Sequence, residues 1–426
     1  MKGYLLSFLL IFMGSFLFTV NLVTAKGISD GIILPEGEKI EATNSLLSST
    51  LEKQAEDGPS LHVGGAVRYN LMLQNYESDI TANDGQFTFD TWRLNVVYDN
   101  PGGIGLNFEY RFYPTFNTHF IKQGWLEYQF SEYTEVQLGV TQVPFGNLMY
   151  NSNSWWFSLP YYVGLEDDFD MGIKMTHRNE RYQLDLAYFY QHEPQGPPNL
   201  AARYSYDVLP DGNATLQERN QFNVRGAYFT ENGEFGVSLQ YGQLYNSVLD
   251  QFDHRYAAAL HGDFTFGNFG IKPQVLYYNM DAVNDQGDDI STVFMGAYAG
   301  TYQVATEAWI ATLGLSYSMD VSWGPITNVT FYNDISYMEK LVGEDNSLLA
   351  DGTDLQLGSN FEHSIQNITG FLVSAGPVFT YFDIAQGYNQ PWLTDDFGVG
   401  AGAGHGDLGG EAEYNIRFNI NIGFYF

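Results

Sequence analysis

Residues 414–426 read YNIRFNINIGFYF, and this stretch decides the fold. Successive side chains of an extended strand point to opposite sides, so alternate residues share a face. One face of this segment carries seven large apolar or aromatic side chains: Tyr414, Ile416, Phe418, Ile420, Ile422, Phe424 and Phe426. The other face is mostly polar and consists of Asn415, Arg417, Asn419, Asn421 and Tyr425. The pattern predicts a strand that separates lipid from an aqueous interior.

The same alternation recurs upstream in segments of about ten residues, the length of a tilted membrane-spanning strand. We predict sixteen strands, near 61–72, 87–99, 104–113, 120–130, 135–145, 170–177, 182–190, 218–229, 235–245, 254–266, 269–278, 307–318, 326–338, 363–374, 378–387 and 412–426. An even number places both ends of the barrel on the same side of the membrane. Residues 292–303 also resemble a strand, but we assign them to an external loop or an inward excursion. Eighteen strands are the alternative.

Short and long connections alternate between these strands. Short turns are predicted at 100–103, 131–134, 177–181, 231–234, 267–268 and 375–377, and a slightly longer one at 319–325. Long, acidic segments are predicted at 146–170, 191–217, 279–306, 339–362 and 388–411. Short turns at one end and long loops at the other are typical of outer-membrane barrels.

The composition excludes several classes of function. The chain of 426 residues contains no cysteine, which excludes disulfides and thiolate metal sites. It has 50 Asp and Glu against 18 Lys and Arg, a net charge of −32. Nucleic-acid binding needs a basic surface, so we expect no nucleic-acid partner.

Residues 1–25 have the organisation of a cleavable signal peptide. Lys2 supplies a positive charge, residues 5–18 form an apolar run, and residues 23–25 (VTA) offer a small-residue cleavage site. An N-terminal membrane anchor is the alternative, but the apolar run is shorter than the about 20 residues that span a bilayer. Residues 26–60 fit a short periplasmic helix, a lumenal plug or a disordered segment.

A soluble β-sandwich would also show alternation. Tyr and Phe concentrate at the ends of the predicted strands, however, as in the aromatic girdles of membrane barrels. We therefore predict that residues 61–426 form an all-β, transmembrane antiparallel β-barrel with short periplasmic turns and long external loops. A barrel of this size encloses water. Its expected partners are outer-membrane lipid, lipopolysaccharide and small hydrophilic solutes.

The segment 147–170 is the candidate for a pore constriction. Its first part is rich in aromatic residues, among them Tyr150, Trp155, Trp156 and Tyr161. Its second part is acidic, with Glu166, Asp167, Asp168 and Asp170 and no Lys or Arg. Carboxylates that face the water would repel anions, and the rings would pack on the wall or stack with sugars. The alternative is that the rings only fix the loop and the acids are surface residues.

A lumenal row of arginines is the second candidate. The alternation places Arg68, Arg93 and Arg111 inward on the first three strands and Arg417 inward on the last, all near mid-height. Arginine stays charged, so a row facing an acidic loop would produce a transverse field. Glu109 and Glu127, also inward, would partly neutralise it. The alternative is that the arginines form salt bridges that stiffen the wall.

The segment 139–146 (GVTQVPFG) resembles the Gly…Pro-Phe-Gly motif that precedes the inward loop in phosphate-selective porins of the O/P type, within the porin superfamily. Residues 89–94 and 125–128 are similar to early strands of that family. The likeness is loose over 60–426 and specific around 86–146. It implies a sixteen-stranded, trimeric, passive channel in the outer membrane of a Gram-negative cell. The arginines match the family's arginine ladder, but lysines are few and the loop is acidic, so phosphate selectivity is not carried over.

The sequence thus predicts a general porin that is not an enzyme and has no cofactor or metal. An enzyme needs a nucleophile beside a base, and His261 has only Asp263 beside it, with no obvious serine partner. The external acids fit solvated loops better than a calcium loop; they are Asp281, Asp285, Asp288, Asp289, Glu344, Asp345, Asp351 and Asp354. The alternative function is a channel that prefers phosphate or other anions, or sugars bound by Trp155, Trp156 and Tyr161.

Overall fold

The structure is a computed structural model that describes residues 58–76, 85–148, 150–341, 348, 350, 352, 363–390, 393 and 414–426. The predicted signal peptide, most of the segment 26–60, and Glu344, Asp345, Asp351 and Asp354 lie outside these residues. Among the described residues there is no helix that is long and apolar enough to cross a membrane.

Sixteen antiparallel strands close into one barrel, which confirms the predicted fold class and strand number. They are β1 (Ser60–Gln74), β2 (Gln86–Asp99), β3 (Ile104–Tyr113), β4 (Thr118–Ser131), β5 (Thr134–Gln142), β6 (Phe169–Arg178), β7 (Tyr182–His192), β9 (Leu216–Thr230), β10 (Gly233–Asn246), β11 (Gln251–Phe266), β12 (Phe269–Met280), β15 (Glu307–Trp323), β16 (Ile326–Lys340), β17 (His363–Ala375), β18 (Val378–Tyr388) and β19 (Tyr414–Tyr425).

Three further strands lie outside the barrel. They are β8 (Asp207–Val208), β13 (Thr292–Ala297) and β14 (Gly300–Ala305), and they form a separate three-stranded sheet in the order β14-β13-β8. The strand-like segment 292–303 is therefore not a barrel strand, as predicted. These residues form the hairpin β13–β14, and the free side of β13 pairs with β8 rather than with a barrel strand.

The first and last strands close the barrel. Val67 pairs with Phe424, Tyr69 with Ile422 and Leu71 with Ile420. The backbone of Gly65 also exchanges two hydrogen bonds with that of Phe426, with N···O distances of 2.8 and 3.0 Å. Closure satisfies the backbone groups that an open sheet edge would leave unpaired.

The outer face of the wall is apolar and the inner face is polar. On β10, Val237 and Leu239 are 48% and 54% exposed, whereas Ser238 and Gln240 between and beside them are 0% and 5% exposed. In β19, Asn415, Arg417, Asn419 and Asn421 are likewise buried and the intervening apolar residues face outward. A continuous apolar outer surface is suited to lipid rather than water.

The turns at one rim of the barrel are short. By the strand bounds given above, the connections β2–β3, β4–β5, β6–β7, β9–β10, β11–β12, β15–β16 and β17–β18 have two to four residues. The longer turn predicted at 319–325 is wrong, because β15 continues to Trp323 and only Gly324 and Pro325 turn. Gly324 adopts a φ of +64°, which suits a tight turn, and a register shift between Asp320 and Trp323 accommodates the extra residues.

The hydrophobic core lies inside the barrel. Residues 143–168, 193–215 and 281–306, which connect strands at the long-loop rim, contribute to one buried apolar cluster together with inward residues of the wall. Leu159, Tyr204, Val208 and Val293 are each 0% exposed within it. The loops therefore fill part of the lumen.

Candidate functional site

The connection between β5 and β6, residues 143–168, crosses the lumen, and we call it the crossing loop. Close to its start, Gly146 N donates to Ser238 Oγ on β10 at 3.0 Å, and Asn147 N donates to Gln274 Oε1 on β12 at 3.0 Å. Arg225 on β9 donates from Nε to the carbonyl oxygen of Gly146 at 2.8 Å. These bonds direct the chain away from β5 and along the wall.

The middle of the crossing loop is fixed to the opposite side of the barrel. The carboxylate of Asp334 on β16 accepts hydrogen bonds from Asn153 N, Asn153 Nδ2 and Ser154 N, each at 2.8 Å. On β17, Gln366 Nε2 donates to the carbonyl oxygen of Phe157. In the ring of strands, β16 lies eight steps from β5 in either direction. The loop therefore spans the full width of the lumen.

Gly314 on β15 allows the loop to approach this wall. A Cβ atom at Gly314 would lie 2.5 Å from Asn151 O and 2.9 Å from Asn153 Nδ2. Both distances are shorter than a carbon can tolerate, so a side chain here would force the loop away. The absence of a side chain is the local reason that the loop can pack here.

Tyr161 belongs to the packed interior of the loop. Its ring stacks on Phe157 at a centroid distance of 3.7 Å, and its hydroxyl donates to Tyr204 O at 2.9 Å and pairs with the hydroxyl of Tyr298 at 2.7 Å. Only 2% of Tyr161 is exposed. This residue fixes the loop, as the structural alternative for the aromatic residues predicted.

The four acidic residues predicted for the constriction are buried. Glu166 accepts hydrogen bonds from Asn151 N and Nδ2, and Asp167 accepts from Tyr204 Oη and Gln142 Nε2. Glu166, Asp167, Asp168 and Asp170 are between 2% and 6% exposed. The condition for anion repulsion, that these carboxylates face the water, is therefore not met, because the loop and the wall pack around them. Burial raises the pKa of Glu166 to about 7.

Three of the predicted arginines form a contiguous inner row. Arg93 and Arg111 are direct partners across β2 and β3, and Arg68 on β1 lies two positions from the partner of Arg93. Arg417 differs from the prediction, because it pairs with Gln74 whereas Arg68 pairs with Gly423 on the same ladder. It therefore lies six positions closer to the long-loop rim, and the four arginines are not level.

Two carboxylates accompany the arginines. Arg68 Nε lies 3.1 Å from Asp90 Oδ2, Arg93 NH1 lies 3.9 Å from Glu109 Oε1, and Arg111 also contacts Glu109. The predicted role of Glu109 as a neutralising partner is thus observed, whereas Glu127 accepts a hydrogen bond from Trp125 Nε1 instead. Four arginines against two carboxylates leave two positive charges on this wall.

The tryptophans of the crossing loop face this wall. The guanidinium carbons of Arg68 and Arg417 lie 5.9 and 6.0 Å from the centre of the Trp155 ring, and Arg417 lies 4.9 Å from Trp156. Arg111 lies 4.7 Å from the ring of Tyr204. A cation at this distance from an aromatic face is attracted to it. The rings therefore help to fix the guanidinium groups between loop and wall.

An open cavity of about 320 Å³ separates the crossing loop from the arginine-bearing wall. Arg68, Arg111 and Arg417 line it on the wall side, and Tyr150, Trp155 and Trp156 line it on the loop side. These are the predicted site residues that the fold brings together. Tyr161 also contributes to the lining, but the four acids of the loop do not.

Several residues of the site were missed from the sequence. Tyr204 and Tyr298 reach the cavity from other loops, and Asp90 reaches it from β2. Lys122 on β4 lies 3.8 Å from Asp167 and 4.2 Å from the ring of Phe169. Strict alternation from Arg93 and Glu127 would place Asp90 and Lys122 outward, and they face inward because each is the extra residue at a register shift. No local pattern signals the two tyrosines, since their position depends on how the loops fold inward.

His261 has a serine neighbour that was not obvious from the sequence. Ser238 Oγ lies 3.1 Å from His261 Nε2, because the two residues are diagonal neighbours on β10 and β11. Ser238 Oγ also accepts the hydrogen bond from Gly146 N, and His261 Nδ1 has no hydrogen-bond partner. A catalytic pair needs a third group to orient the imidazole. This pair instead supports the start of the crossing loop.

The external acids that the structure describes differ in exposure. Asp281, Asp288 and Asp289 are exposed, as expected for solvated loops. Asp285 is half-buried and accepts hydrogen bonds from Thr215 N and Oγ1 at 2.9 and 2.8 Å. Elsewhere, Asp168, Asp170 and Asp207 form a buried acidic group.

Comparison with known proteins identifies the fold. No protein-family model and no curated protein matches the sequence. Among solved structures, the outer membrane channel DcaP of Acinetobacter baumannii superposes with a TM-score of 0.57 at 11% identity, over 87% of this chain and 98% of that chain. The anion-selective porin from Comamonas acidovorans gives 0.54 at 14% identity, over 86% and 100%. OprB of Pseudomonas putida gives 0.53 at 9% identity, over 89% and 97%. The chain therefore has the fold of outer-membrane porins.

Proposed function

We propose that this chain is an outer-membrane porin, a water-filled channel for the passive diffusion of ions and small hydrophilic solutes. The observation that carries the proposal is the crossing loop, which spans the lumen and leaves a cavity beside the arginine-bearing wall. A barrel of sixteen strands is wide enough for an aqueous channel. A loop folded across that width limits the size of what passes.

The constriction prefers anions over cations. The acids of the crossing loop are buried, and the charged groups that line the cavity are Arg68, Arg111, Arg417 and Asp90. Charged side chains that line a narrow pore set its ion preference. At the long-loop rim, the exposed Asp281, Asp288 and Asp289 attract cations. Their effect on ion preference is opposite to that of the arginines at the constriction.

A channel that prefers phosphate or related anions is the second candidate function. It is favoured by Arg68, Arg111 and Arg417, since guanidinium groups bind phosphate oxygens in a bidentate manner. Sugar preference has less support, because Tyr161 is packed inside the loop and Arg417 lies over Trp156.

We further propose that the apolar outer face contacts outer-membrane lipid, that lipopolysaccharide surrounds the long-loop rim, and that three chains assemble. The exposed apolar residues of β10 and β19 support the first point. Native mass spectrometry in detergent tests the assembly, and a monomer in mild detergent would contradict it.

The channel proposal is tested by planar-bilayer recording of the purified, folded chain. We expect stable single-channel steps, and a reversal potential in a KCl gradient that corresponds to chloride preference. Block by phosphate at low millimolar concentration would support the phosphate-preferring candidate, and its absence would support the general porin. A potassium preference would contradict the positive constriction, and a lack of conductance would contradict the channel itself.

A further inference from the structure

Three aspartates from different parts of the chain meet behind the crossing loop. Asp168 is the last residue of that loop, Asp170 lies in β6, and Asp207 lies in β8. One carboxylate oxygen of each lies within 4.8 Å of those of the other two, and the residues are 4%, 2% and 1% exposed. Three atoms so spaced lie at most about 2.8 Å from a common centre, close to the about 2.3–2.6 Å of calcium–oxygen bonds.

One carboxylate oxygen of each of the three aspartates has no hydrogen-bond partner. Asp207 Oδ2 accepts from Arg203 NH1 at 2.8 Å, and Asp170 Oδ2 accepts from Gln221 Nε2 at 3.3 Å. The Oδ1 atoms of Asp168, Asp170 and Asp207 are buried without a hydrogen-bond partner. A buried carboxylate oxygen without a partner is costly in free energy. Three such oxygens in one group are suited to binding a cation.

Glu193 adds an independent observation. It follows β7, is 0% exposed and interacts electrostatically with Asp207. Its Oε1 accepts from Ser205 N at 2.9 Å, but its Oε2 is buried without a hydrogen-bond partner. A fourth unsatisfied carboxylate oxygen therefore lies beside the three aspartates.

The charges around this group do not balance. Arg203 pairs with Asp207, and Arg255 pairs with Glu218, which lies near Asp168 and Asp170. Five carboxylates thus face two guanidinium groups. The group therefore has an excess of carboxylates over cationic side chains, which a divalent cation would balance.

We propose that Asp168, Asp170 and Asp207, with Glu193 beside them, bind a divalent cation of the calcium class. All the donors are hard carboxylate oxygens, which select Ca²⁺, Mg²⁺ or Mn²⁺ over zinc and copper. Ca²⁺ fits better than Mg²⁺, because Mg²⁺ demands regular octahedral geometry and retains water. The ion connects the end of the crossing loop to β6 and to the three-stranded sheet. This site does not depend on the proposed channel function.

The test uses the purified, folded full chain with CaCl₂ as the probe. After EGTA treatment and addition of CaCl₂, elemental analysis of the gel-filtered protein should find one tightly bound calcium per chain. The midpoint of thermal unfolding should rise by several degrees with CaCl₂ over EGTA, because a ligand of the native state stabilises it.

Two matched double variants locate the ion. Asp168→Asn with Asp207→Asn should remove the bound calcium and the calcium-dependent rise in Tm. Asp288→Asn with Asp289→Asn removes two exposed acids from another loop and should retain both. Should the first variant fail to fold, Glu193→Gln replaces it, with an expected loss of calcium affinity of at least tenfold. A wild type without bound calcium, or loss of calcium in the Asp288/Asp289 variant alone, would overturn the proposal.

Discussion

The inward polar side chains of two walls of the barrel make different contacts. On the wall of β9–β12 and β16, Arg225, Ser238, Gln274 and Asp334 form hydrogen bonds with the crossing loop. On the wall of β1–β3 and β19, the arginines border the open cavity. The first wall fixes the loop, and the second faces the cavity through which we propose that solutes pass. Strands of both walls show the same alternation of polar and apolar residues, but their inward side chains have different contacts. The path of the crossing loop decides which wall the loop packs against and which wall faces the cavity.

Among the substitutions that test the difference between the two walls, Gly314→Val should have the largest effect. The new side chain would meet Asn151 and Asn153 of the loop, so the loop should be displaced and single-channel conductance should increase at least twofold. Gly226→Val is the matched control, because a Cβ atom at Gly226 on β9 has no neighbour within 4 Å. Unchanged conductance in Gly314→Val would show that the loop does not limit the pore.

Replacing Arg68 and Arg417 together by glutamine tests the opposite wall. Each charge at a few ångströms from the permeating ion is worth about 1 kcal/mol in water, so the chloride-to-potassium permeability ratio should fall by about fivefold or more. Asp90 keeps a hydrogen bond from Asn421 at 3.2 Å, which limits structural damage. Salt-gradient reversal potentials measure the ratio. Arg181→Gln, in an exposed turn, should leave it unchanged; an equal shift in both proteins would contradict a selective role of the row.

Asp334→Ala should release the middle of the crossing loop without forcing it out. The substitution removes the acceptor for three hydrogen bonds from Asn153 and Ser154, and bonds to a charged group contribute about 1.5–3 kcal/mol each. We expect frequent conductance fluctuations and a Tm lower by several degrees. Asp320→Ala, on an exposed residue of β15 near the short-turn rim, should show neither. Quiet channels in Asp334→Ala would indicate that other contacts fix the loop.

The smallest effect should be a pH dependence due to Glu166. Burial raises its pKa from 4.5 to about 7, so the native state holds this proton more tightly than the unfolded state does. Its contribution to stability is present below pH 4.5 and is lost as pH rises to about 7. The Tm difference between pH 5 and pH 8 should therefore be smaller in Glu166→Gln than in wild type. Equal differences in the two proteins would contradict this role.

Features of the two walls that depend on strand alternation could be predicted from the sequence, whereas features that depend on strand register or loop packing could not. Strand number and the inward position of Arg68, Arg93, Arg111 and Arg417 follow from period-two alternation, which is a local property. The six-position offset of Arg417 required the β1–β19 register, and the burial of Glu166 required Asn151 and the packed loop around it. The Ser238–His261 contact could have been found from the register of one hairpin. Loop packing inside a barrel has no such periodic signal.

The ladder between β1 and β19 has a consequence for how the protein is made. Its partners are about 350 residues apart in the sequence, from Gln74↔Arg417 to Ala66↔Tyr425, so this is the pairing of greatest chain separation and the entropy of bringing its ends together is large. Until β19 pairs with β1, the sheet keeps two open edges whose unpaired backbone groups can pair with another chain. Closure of this seam therefore requires the last strand, because without β19 the strands β1 and β18 would keep unpaired backbone groups at open edges.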